Sequence, residues 1–376
     1  MKVLHINCNY AGTDLHRHMI MHLNHCGIDS CVYVPVYCAE GVDVSTPGAE
    51  VILSQCFRRW HRVMFDYKQS RILHDVQSKC DIAEFDCIHA YTLFTDGNTA
   101  RKLSQKYKIP YVVAVRSTDV NTFFRKVAYL RPRGVEILRD AAAVFFLSET
   151  YRTLVLNKYV PEKYRQEIYD KSYIVPNGID DFWLDNRYYE RNLEQAVQRL
   201  THQKVNVVCV GQISKRKNMS TLQKALQLLR NEGWDISLTV VGKRIDSDEY
   251  KKVISDHHTK YYQPVPKEEL IAHYREADLF ALPSISETFG LVYAEAMTQG
   301  LPVLYSKGQG FDGQFPDGEV GFAIEARNPA DIADKIRLAV ENYSLLAENS
   351  LHKSDKFRWS DICGRYKEIY GEIAGK

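Results

Sequence analysis

Residues 279–297, LFALPSISETFGLVYAEAM, decide how this chain folds. Four apolar residues, Leu279–Leu282, are followed by Pro283, which breaks a strand, and an apolar helical pattern begins near Gly290. A short, fully apolar strand that passes through a loop into a helix is typical of a parallel sheet covered by helices. In such sheets, ligands bind at the carboxyl ends of the strands, so this loop is a candidate site.

The same alternation of apolar strands and amphipathic helices extends along the whole chain. Strands are predicted at residues 3–7, 30–36, 87–90, 111–115, 144–147, 173–175, 205–210, 237–241, 279–282 and 302–305. Helical patterns between them include residues 99–107, 222–230, 267–276 and 329–341. This pattern predicts an α/β fold with two doubly wound, Rossmann-like domains.

A domain boundary is visible near residue 180. The segment VPNGID at 175–180 ends a strand with turn residues, and residues 181–204 are polar and rich in tyrosine. We therefore predict an N-terminal domain of residues 1–180 and a C-terminal domain of residues 181–358. A terminal helix at 359–373 has no strand after it, and we expect it either to cap the second domain or to cross back to the first.

Composition and charge exclude several classes of protein. The chain of 376 residues is 45% hydrophobic and 26% charged, as in an ordinary globular enzyme. With 49 basic and 47 acidic residues it is not a dedicated nucleic-acid binder. The longest apolar run, residues 141–147, is too short to span a membrane, and the N-terminus does not resemble a signal peptide. Nine cysteines without a C-x-x-C pair predict buried, reduced thiols, and we expect a cytoplasmic protein.

Loops after two strands of the second domain carry charged residues suited to a diphosphate. In VGQISKRKN at 210–218, Gly211 precedes the cations Lys215, Arg216 and Lys217, and a helix follows. In the loop of residues 283–290, Glu287 lies at the end of a strand, and Glu295 lies on the helix that follows. The amides at the start of that helix are free to meet an anion.

The order of these motifs is specific. It comprises Gly-x5-Lys-Asn at 211–218, ADLFALPS at 277–284, Glu-x7-Glu around Phe-Gly at 287–295, and Gly-x-Pro-Val at 300–303. Together with the VPNGID linker and a Trp-Ser start to the terminal helix, it resembles the family-4 retaining glycosyltransferases of the GT-B fold. The resemblance implies two Rossmann-like domains that face each other across a cleft.

The resemblance also implies an activity. Such an enzyme moves a sugar from a nucleotide-sugar donor, a UDP- or GDP-sugar, to a hydroxyl acceptor with retention and without a metal or other cofactor. The acceptor would be a glycan or a lipid-linked saccharide in the assembly of a surface polysaccharide. A GT-B sugar-nucleotide 2-epimerase and a non-catalytic, nucleotide-sugar-binding partner subunit remain open as alternatives.

Site residues of the second domain follow by position from the resemblance. Glu287 would meet the donor sugar at the reacting centre, Lys217 would bind the diphosphate, and Glu295 would hold the ribose. The remaining donor-binding candidates are Gly211, Gln212, Arg216, Phe289, Gly290 and Leu291. Gln212 stands where the family usually has an arginine, and Arg216 is the nearby cation that would replace it.

The first domain matches the family more loosely. Gly12, a further donor-binding candidate by the resemblance, alone stands for a double-glycine loop. DCIHAY at 86–91 has Tyr91 in place of a second histidine. RSTD at 116–119 resembles a further family turn. The resemblance makes His89 and Asp119 catalytic candidates, with a structural His89 as the alternative. Further cleft or acceptor candidates are Arg116, Tyr91 and His16.

Two further patterns concern metals and membranes. Asp246-Ser247-Asp248 resembles a metal-binding Asp-x-Asp, and His18 and His22 lie one helical turn apart, but we expect a solvated loop and a polar helix face, and no metal. The segments 57–71 and 123–133 combine arginines with aromatic residues. They suit peripheral contact with the inner face of a membrane or a lipid-diphosphate acceptor.

Overall fold

The computed structural model describes residues 1–375, with the side chain of Arg62 outside the described part. It divides into two compact units, of which unit 1 contains Met1–Gly178 and Trp359–Lys376 and unit 2 contains Ile179–Arg358. The division falls inside the VPNGID segment, close to the expected boundary at residue 180. Each unit is a parallel sheet with helices, so the predicted α/β architecture of two doubly wound domains is confirmed.

Unit 1 is built on one parallel sheet in the order β3-β2-β1-β4-β5-β6-β7. Its strands are β1 (Lys2–Ile6), β2 (Asp29–Val36), β3 (Glu50–Gln55), β4 (Cys87–Ala90), β5 (Tyr111–Val115), β6 (Ala143–Phe146) and β7 (Ser172–Ile174). Leu4 of β1 pairs with Cys31 on one side and with Ile88 on the other. The central strands are buried on both faces, which explains their continuous apolar sequences.

In the described part of unit 1, six helices lie between the strands, and β2 and β3 are joined without a helix. They are α1 (Leu15–His25), α2 (Phe65–Lys79), α3 (Thr95–Tyr107), α4 (Arg131–Asp140), α5 (Glu149–Tyr159) and α6 (Arg165–Asp170). Short 3-10 turns occur at Tyr10–Gly12, Arg59–Val63, Ile82–Glu84, Ala128–Leu130 and Glu162–Tyr164, and a π-helical turn at Asp119–Phe124.

Unit 2 is a second parallel sheet in the order β10-β9-β8-β11-β12-β13. Its strands are β8 (Lys204–Val210), β9 (Asp235–Val241), β10 (Thr259–Tyr262), β11 (Leu279–Leu282), β12 (Val303–Ser306) and β13 (Gly321–Ile324). Its helices are α7 (Asp181–Asp185), α8 (Leu193–Thr201), α9 (Met219–Asn231), α10 (Ser247–Ile254), α11 (Lys267–Glu276), α12 (Leu291–Thr298), α13 (Pro329–Glu341) and α14 (Tyr343–Lys353), and a 3-10 turn covers Ser354–Phe357. Because β8 and β11 are neighbours, the loops that follow them start side by side.

The strands β3, β10 and β13 were not among those predicted from the sequence. All of them lie at the edge of a sheet. An edge strand has a neighbour on one side only, so its residues stay partly exposed. Partial exposure weakens the apolar pattern without always removing it, since GFAI of β13 is apolar throughout and the edge strand β7 was predicted. The half-exposed TKYY sequence of β10 lacks a continuous apolar run.

A helix that follows unit 2 in the sequence belongs to unit 1. This helix, α15 (Trp359–Ala374), packs against α1, where the Cys363 thiol lies 3.5 Å from the Met19 carbonyl. Buried Tyr366, Ile369 and Tyr370 complete the core on the face of the sheet that carries Val3. The chain leaves unit 1 at Gly178 and returns at Trp359, and a Cβ at Gly178 would lie 2.4 Å from the indole ring of Trp359. Glycine is therefore required where the two segments meet.

Two features of the sequence relate to the environment of the protein. None of the described helices is both long and apolar enough to cross a membrane. All nine cysteines lie in the described part of the chain and none of them is in a disulfide. Cys38 is exposed, which differs from the expectation of buried thiols.

Candidate active site

Gly211 lets the loop after β8 fold beneath Lys217. The glycine has a φ of +147°, and a Cβ placed on it would lie 3.4 Å from Cε of Lys217. The Lys217 amide donates to the Ser214 carbonyl at 2.9 Å, which closes a tight turn before α9. Lys217 is consequently only 7% exposed, so its ammonium group is held at the loop rather than extended into solvent.

Asn218 fastens this loop to the neighbouring strand ends. Its φ of +58° is left-handed, a conformation that asparagine tolerates better than most residues. The side-chain amide donates to the Pro283 carbonyl at 3.1 Å and to the Ala326 carbonyl at 2.6 Å. The Ile285 amide donates to the Arg216 carbonyl at 2.8 Å. The loops after β8, β11 and β13 therefore form one hydrogen-bonded edge.

Glu287 and Lys217 meet at this edge as a buried ion pair. The ammonium group of Lys217 donates to one carboxylate oxygen of Glu287, and the Ser284 hydroxyl donates to the same oxygen at 3.1 Å. The other oxygen accepts the amide of Thr288 at 3.1 Å. Glu287 is 7% exposed, so both charges depend on each other for compensation. The sequence placed these two residues in one site, and the structure brings their side chains into contact.

Arg216 places its guanidinium group beside Glu287. Gln212, at the position where the family usually has an arginine, has no guanidinium group to offer. Its Nη1 donates to the Ser286 carbonyl at 2.8 Å and lies 3.8 Å from Oε1 of Glu287. Gln212 is exposed on the same loop. The family's arginine position is thus occupied by a neutral residue, while a cation four residues later reaches the carboxylate.

The start of α12 provides backbone donors next to Glu287. Gly290 caps the helix with a φ of +82°, and a Cβ there would lie 2.5 Å from the ring of Tyr293. Phe289 is buried, with its ring centroid 5.7 Å from that of Phe357, which anchors the turn. The first amides of a helix have no acceptor within the helix, and they lie at the positive end of its dipole. The amides of residues 289–291 can therefore receive an anion.

Glu295 lies further along α12 and has a separate environment. Its Oε2 accepts the Tyr274 hydroxyl at 3.3 Å. Burial raises the pKa of Glu295 to about 7, and the hydrogen bond from Tyr274 offsets part of this rise. The carboxyl group can therefore change its charge near neutral pH.

A cavity of about 410 Å³ lies beside these loops, at the carboxyl ends of β11, β12 and β13. Its lining includes Ser284, Lys307 and Gln309. The side-chain oxygen of Gln309 also accepts a hydrogen bond from the backbone amide of Glu287 at 3.0 Å. The same side chain therefore borders the cavity and fixes the loop that carries Glu287. Small-molecule sites commonly have volumes of this order.

The carboxylate of Asp119 in unit 1 is occupied by hydrogen bonds from backbone amides. Its carboxylate accepts the amides of Leu93 at 3.1 Å, Phe94 at 3.2 Å and Arg116 at 2.9 Å. Burial raises its pKa to about 6, although the three amides favour the charged form. These contacts fix the loops after β4 and β5. We therefore interpret Asp119, predicted as a catalytic candidate, as a structural residue.

His89 is fully buried, and its Nδ1 lies 2.6 Å from the hydroxyl of Tyr370 on α15. Its ring stacks on Tyr91 at 4.3 Å. Burial, with His5 and Arg116 nearby, holds the pKa of His89 well below its usual range, so the ring stays neutral. The geometry favours the structural alternative, in which His89 connects the sheet to α15.

The other candidates of unit 1 surround the same cluster. Tyr91 shares a hydrogen bond with Nδ1 of His5 at 3.1 Å, and its ring meets that of His16 edge-on at 5.1 Å. Burial lowers the pKa of His16 to about 3. Arg116 donates to the Asn177 side chain at 2.9 Å. Gly12 lies in an exposed turn after β1.

The residues considered for a metal serve other roles. Asp246 caps α10 and accepts the amides of Asp248 and Glu249 at 3.0 Å each, so the Asp-x-Asp opens a helix, where a loop was expected. Elsewhere, in the described part of the chain, Asp256, His257 and His258 are close enough to share an ion. Asp256 is paired with Arg230 at 2.6 Å, a cation that would compete with any metal.

The sequence did not predict the residues that form hydrogen bonds with Glu287 and Glu295. Ser284 and Gln309 contact Glu287, and Tyr274 contacts Glu295. Ser284 and Gln309 belong to strand-end loops whose position gave a signal, but no motif identified their partners. Tyr274 lies on α11 and carried no signal, because its contact depends on the packing of two helices.

Comparison with known proteins covers both units. Residues 190–353 match the family model described as glycosyl transferases group 1, and residues 15–166 match the glycosyl transferase 4-like domain. The chain is 27% identical over 184 residues to a D-inositol 3-phosphate glycosyltransferase of Corynebacterium glutamicum, which covers 46% of this chain and 44% of the relative. It therefore spans less than half the length of that relative. An uncharacterized glycosyltransferase of Methanocaldococcus jannaschii is 22% identical, over 77% of this chain and 76% of the relative.

Solved structures share the fold over the full chain. Sucrose-phosphate synthase of Thermosynechococcus elongatus gives a TM-score of 0.77 at 16% identity, covering 100% of this chain and 99% of that one. HepE of Anabaena, in complex with UDP and glucose, gives a TM-score of 0.69 at 17% identity, covering 99% and 100%. The fold is that of the GT-B proteins, as the sequence motifs predicted.

Proposed function

We propose that this chain, which belongs to the glycosyl transferases group 1 family and has a GT-B fold, transfers a sugar from a nucleotide-sugar donor to a hydroxyl acceptor. The observation that carries the proposal is the contact between Lys217 and Glu287 at the carboxyl edge of the unit 2 sheet. A cation for a diphosphate and a carboxylate for a sugar are joined there, next to the free amides of a helix start.

Lys217 and Arg216 bind the diphosphate of the donor. The leaving group gains negative charge as the glycosidic bond breaks, and fixed cations and amides stabilise that charge. Removing one such donor typically costs about 2.7–4 kcal/mol of transition-state stabilisation. When a diphosphate arrives, it competes with Glu287 for the ammonium group of Lys217. The exchange releases the carboxylate to accept hydrogen bonds from the sugar.

Glu287 lies at the reacting centre in this proposal. Its carboxylate holds the sugar hydroxyls and stabilises positive charge on the anomeric carbon. We propose a retaining transfer of a hexose, in which an oxygen of the departing phosphate takes the acceptor proton. Because cations and amides supply the charge compensation, we propose that the reaction requires no metal. Activity that persists in excess EDTA would support this.

Glu295 is proposed to hold the ribose of the nucleotide. Its carboxylate can accept the two ribose hydroxyls when it is ionised. HepE, a protein of the same fold, has been solved with UDP-glucose, and we therefore propose a UDP-sugar first and a GDP-sugar second as the donor. Thermal shift with UDP-, GDP- and ADP-sugars tests this, since a ligand that binds only the native state raises Tm.

The acceptor is proposed to be a glycan or a lipid-linked saccharide used in surface polysaccharide assembly. A basic–aromatic surface of unit 1, formed by residues 57–71 and 123–133, supports it. Trp60 is 54% exposed and Tyr129 is 69% exposed, and the segments meet where the ring of Phe65 lies 6.0 Å from that of Phe123. We propose that this surface contacts the inner face of a membrane from the cytoplasm. Failure to co-sediment with anionic liposomes at low salt would refute the contact.

Incubation with donor tests the reaction. With UDP-glucose and an acceptor mixture from surface polysaccharide intermediates, wild-type protein is expected to release UDP, and Lys217→Gln to release it about 100-fold more slowly at low donor concentration. Lys224→Gln is the matched control and should release UDP at the wild-type rate, because Lys224 is exposed on α9, outside this loop. A product with inverted anomeric configuration would refute retention. Release of free, epimerised sugar nucleotide would refute transfer.

A further inference from the structure

A second cavity, of about 530 Å³, opens at the amino end of β8 in unit 2, opposite the carboxyl ends of the strands that carry the candidate active site. Lys204, which borders it, is the first residue of β8, whereas Lys217 follows the end of that strand. A strand rises about 3.3 Å per residue, so β8 separates the two ends by roughly 20 Å. The cavity is thus distinct from the candidate active site, and the inference below does not rest on the proposed function.

The wall of this cavity carries an excess of positive charge. Its basic residues are Arg191, Arg199, His202, Lys204 and Arg275. Arg199 pairs with buried Asp278, and Lys204 lies 3.8 Å from exposed Asp235. Arg199 is therefore compensated by a buried carboxylate, whereas the pair of Lys204 and Asp235 is solvent-exposed and weak, so Lys204 stays available to an anion.

Arg191 and Arg275 are held by neutral groups instead. Arg191 donates to the carbonyls of Gln299 at 3.0 Å and Ala277 at 2.9 Å. Arg275 donates to the side-chain oxygen of Gln299 at 3.0 Å and to the carbonyl of Asn186 at 3.0 Å. Carbonyl partners fix the two guanidinium groups without cancelling their charges. The site is consequently preorganised for an anion, because little side-chain entropy remains to be lost.

Tyr188 lies between these two arginines. The guanidinium carbon of Arg191 is 5.5 Å from its ring centroid and that of Arg275 is 4.9 Å from it. The remaining lining includes Gln195 and Gln198, exposed amides three residues apart on α8. Amides at this spacing share one helix face and can exchange hydrogen bonds with hydroxyl groups. The cavity thus combines fixed cations with hydroxyl-binding groups.

We propose that this cavity binds a phosphorylated sugar. The phosphate pairs with Arg275 and Lys204, and the sugar hydroxyls meet the amides of α8. The volume lies within the range of small-molecule sites, about 300–1,000 Å³, and exceeds what inorganic phosphate alone would fill. Ligand bound here would contact α8 and α11, on the side of the sheet away from the donor loops.

Isothermal titration calorimetry of the full chain with glucose 6-phosphate tests the proposal, with inorganic phosphate and glucose as comparison probes. Wild-type protein is expected to bind glucose 6-phosphate at least tenfold more tightly than inorganic phosphate, and glucose not measurably. Lys204→Gln/Arg275→Gln should weaken binding at least tenfold. Lys251→Gln/Lys260→Gln removes the same charge from exposed positions elsewhere in unit 2 and should stay within twofold of wild type.

Lys217→Gln separates this cavity from the donor site, and it should leave the affinity for glucose 6-phosphate within twofold. Loss of binding in Lys217→Gln with normal binding in the cavity variant would overturn the proposal. If the wild-type protein does not bind glucose 6-phosphate, the proposal is also overturned. If it binds inorganic phosphate as tightly as glucose 6-phosphate, the proposal that the ligand carries a sugar is overturned. If the double variant unfolds, Lys204→Gln alone, at an exposed position, should weaken binding about threefold, and an unchanged affinity would also overturn it.

Discussion

The two units share one architecture, but the charged residues at their strand ends have different partners. In unit 2, Lys217 and Glu287 pair with each other at a strand-end loop, next to helix-start amides and a cavity. In unit 1, Asp119 accepts three amides of its own chain, and His89 is held by Tyr370. In the proposed reaction a diphosphate displaces Glu287 from Lys217, whereas Asp119 would have to give up backbone amides before it could meet a ligand. In the proposed function, unit 2 carries the chemistry, and we interpret these residues of unit 1 as its framework.

Replacing Glu287 by glutamine tests the first half of this comparison and has the largest expected effect. We expect turnover to fall by about 100- to 1,000-fold, since a group that stabilises developing charge is lost while the shape is kept. Release of UDP from the donor measures it. Glu268→Gln, at an exposed position in the first turn of α11, is the control and should retain wild-type turnover. Normal turnover in Glu287→Gln would place the chemistry elsewhere.

Asp119→Asn tests the second half. One carboxylate oxygen becomes a donor, so at least one buried amide loses its acceptor, and such a loss costs about 1–3 kcal/mol. We expect the free energy of unfolding, measured in urea, to fall by this amount, while turnover per folded molecule stays unchanged. Asp170→Asn, exposed in unit 1, should leave stability unaltered. A large loss of kcat at unchanged stability would instead make Asp119 catalytic.

Glu295 should make donor binding depend on pH. Its folded-state pKa of about 7 means that it is mostly protonated at pH 6 and mostly ionised at pH 8. Because the ionised form accepts ribose hydroxyls more strongly, KM for the donor should fall about threefold to tenfold over this interval. The same raised pKa means that folding stability falls as the pH rises from about 4.5, where the unfolded chain ionises, to about 7, and then levels off. Both dependences should disappear in Glu295→Gln, and a KM profile that is unchanged in this variant would contradict the role.

The substitution Gln212→Arg has the smallest expected effect, and it tests whether a second cation on the loop after β8 strengthens donor binding. The new cation would join Arg216 on the loop after β8, where solvent screens its charge. We expect a twofold to fivefold gain in donor affinity by calorimetry, equivalent to about 0.4–1 kcal/mol. A loss of affinity would show that Arg216 already fills the diphosphate position and that a second guanidinium group interferes.

The sequence predicted much of the fold because central strands of parallel sheets are apolar on both faces. The segment LFAL of β11 is buried throughout and was predicted with its observed bounds. The segment TKYY of β10 is half-exposed and could not be distinguished from a loop by its pattern. The missing information at β10 is therefore physical, since its half-exposed residues leave no continuous apolar signal.

The candidate site was predictable where position in the fold dictates proximity. Lys217 and Glu287 follow adjacent strands, so topology brings them together across a separation of 70 residues. Side-chain partners were not predictable by that argument. Tyr370 lies 281 residues from His89, and only the return of α15 to unit 1 creates the contact.

The interrupted path of unit 1 has a consequence for biosynthesis. All of unit 2 lies between Gly178 and Trp359, so a ribosome must translate unit 2 before α15 emerges. Until then, the sheet face that receives Tyr366, Ile369 and Tyr370 lacks its cover. Nascent domains usually fold in order of their synthesis. Here, the domain that begins first should finish last, and it would offer an apolar surface to chaperones in the meantime.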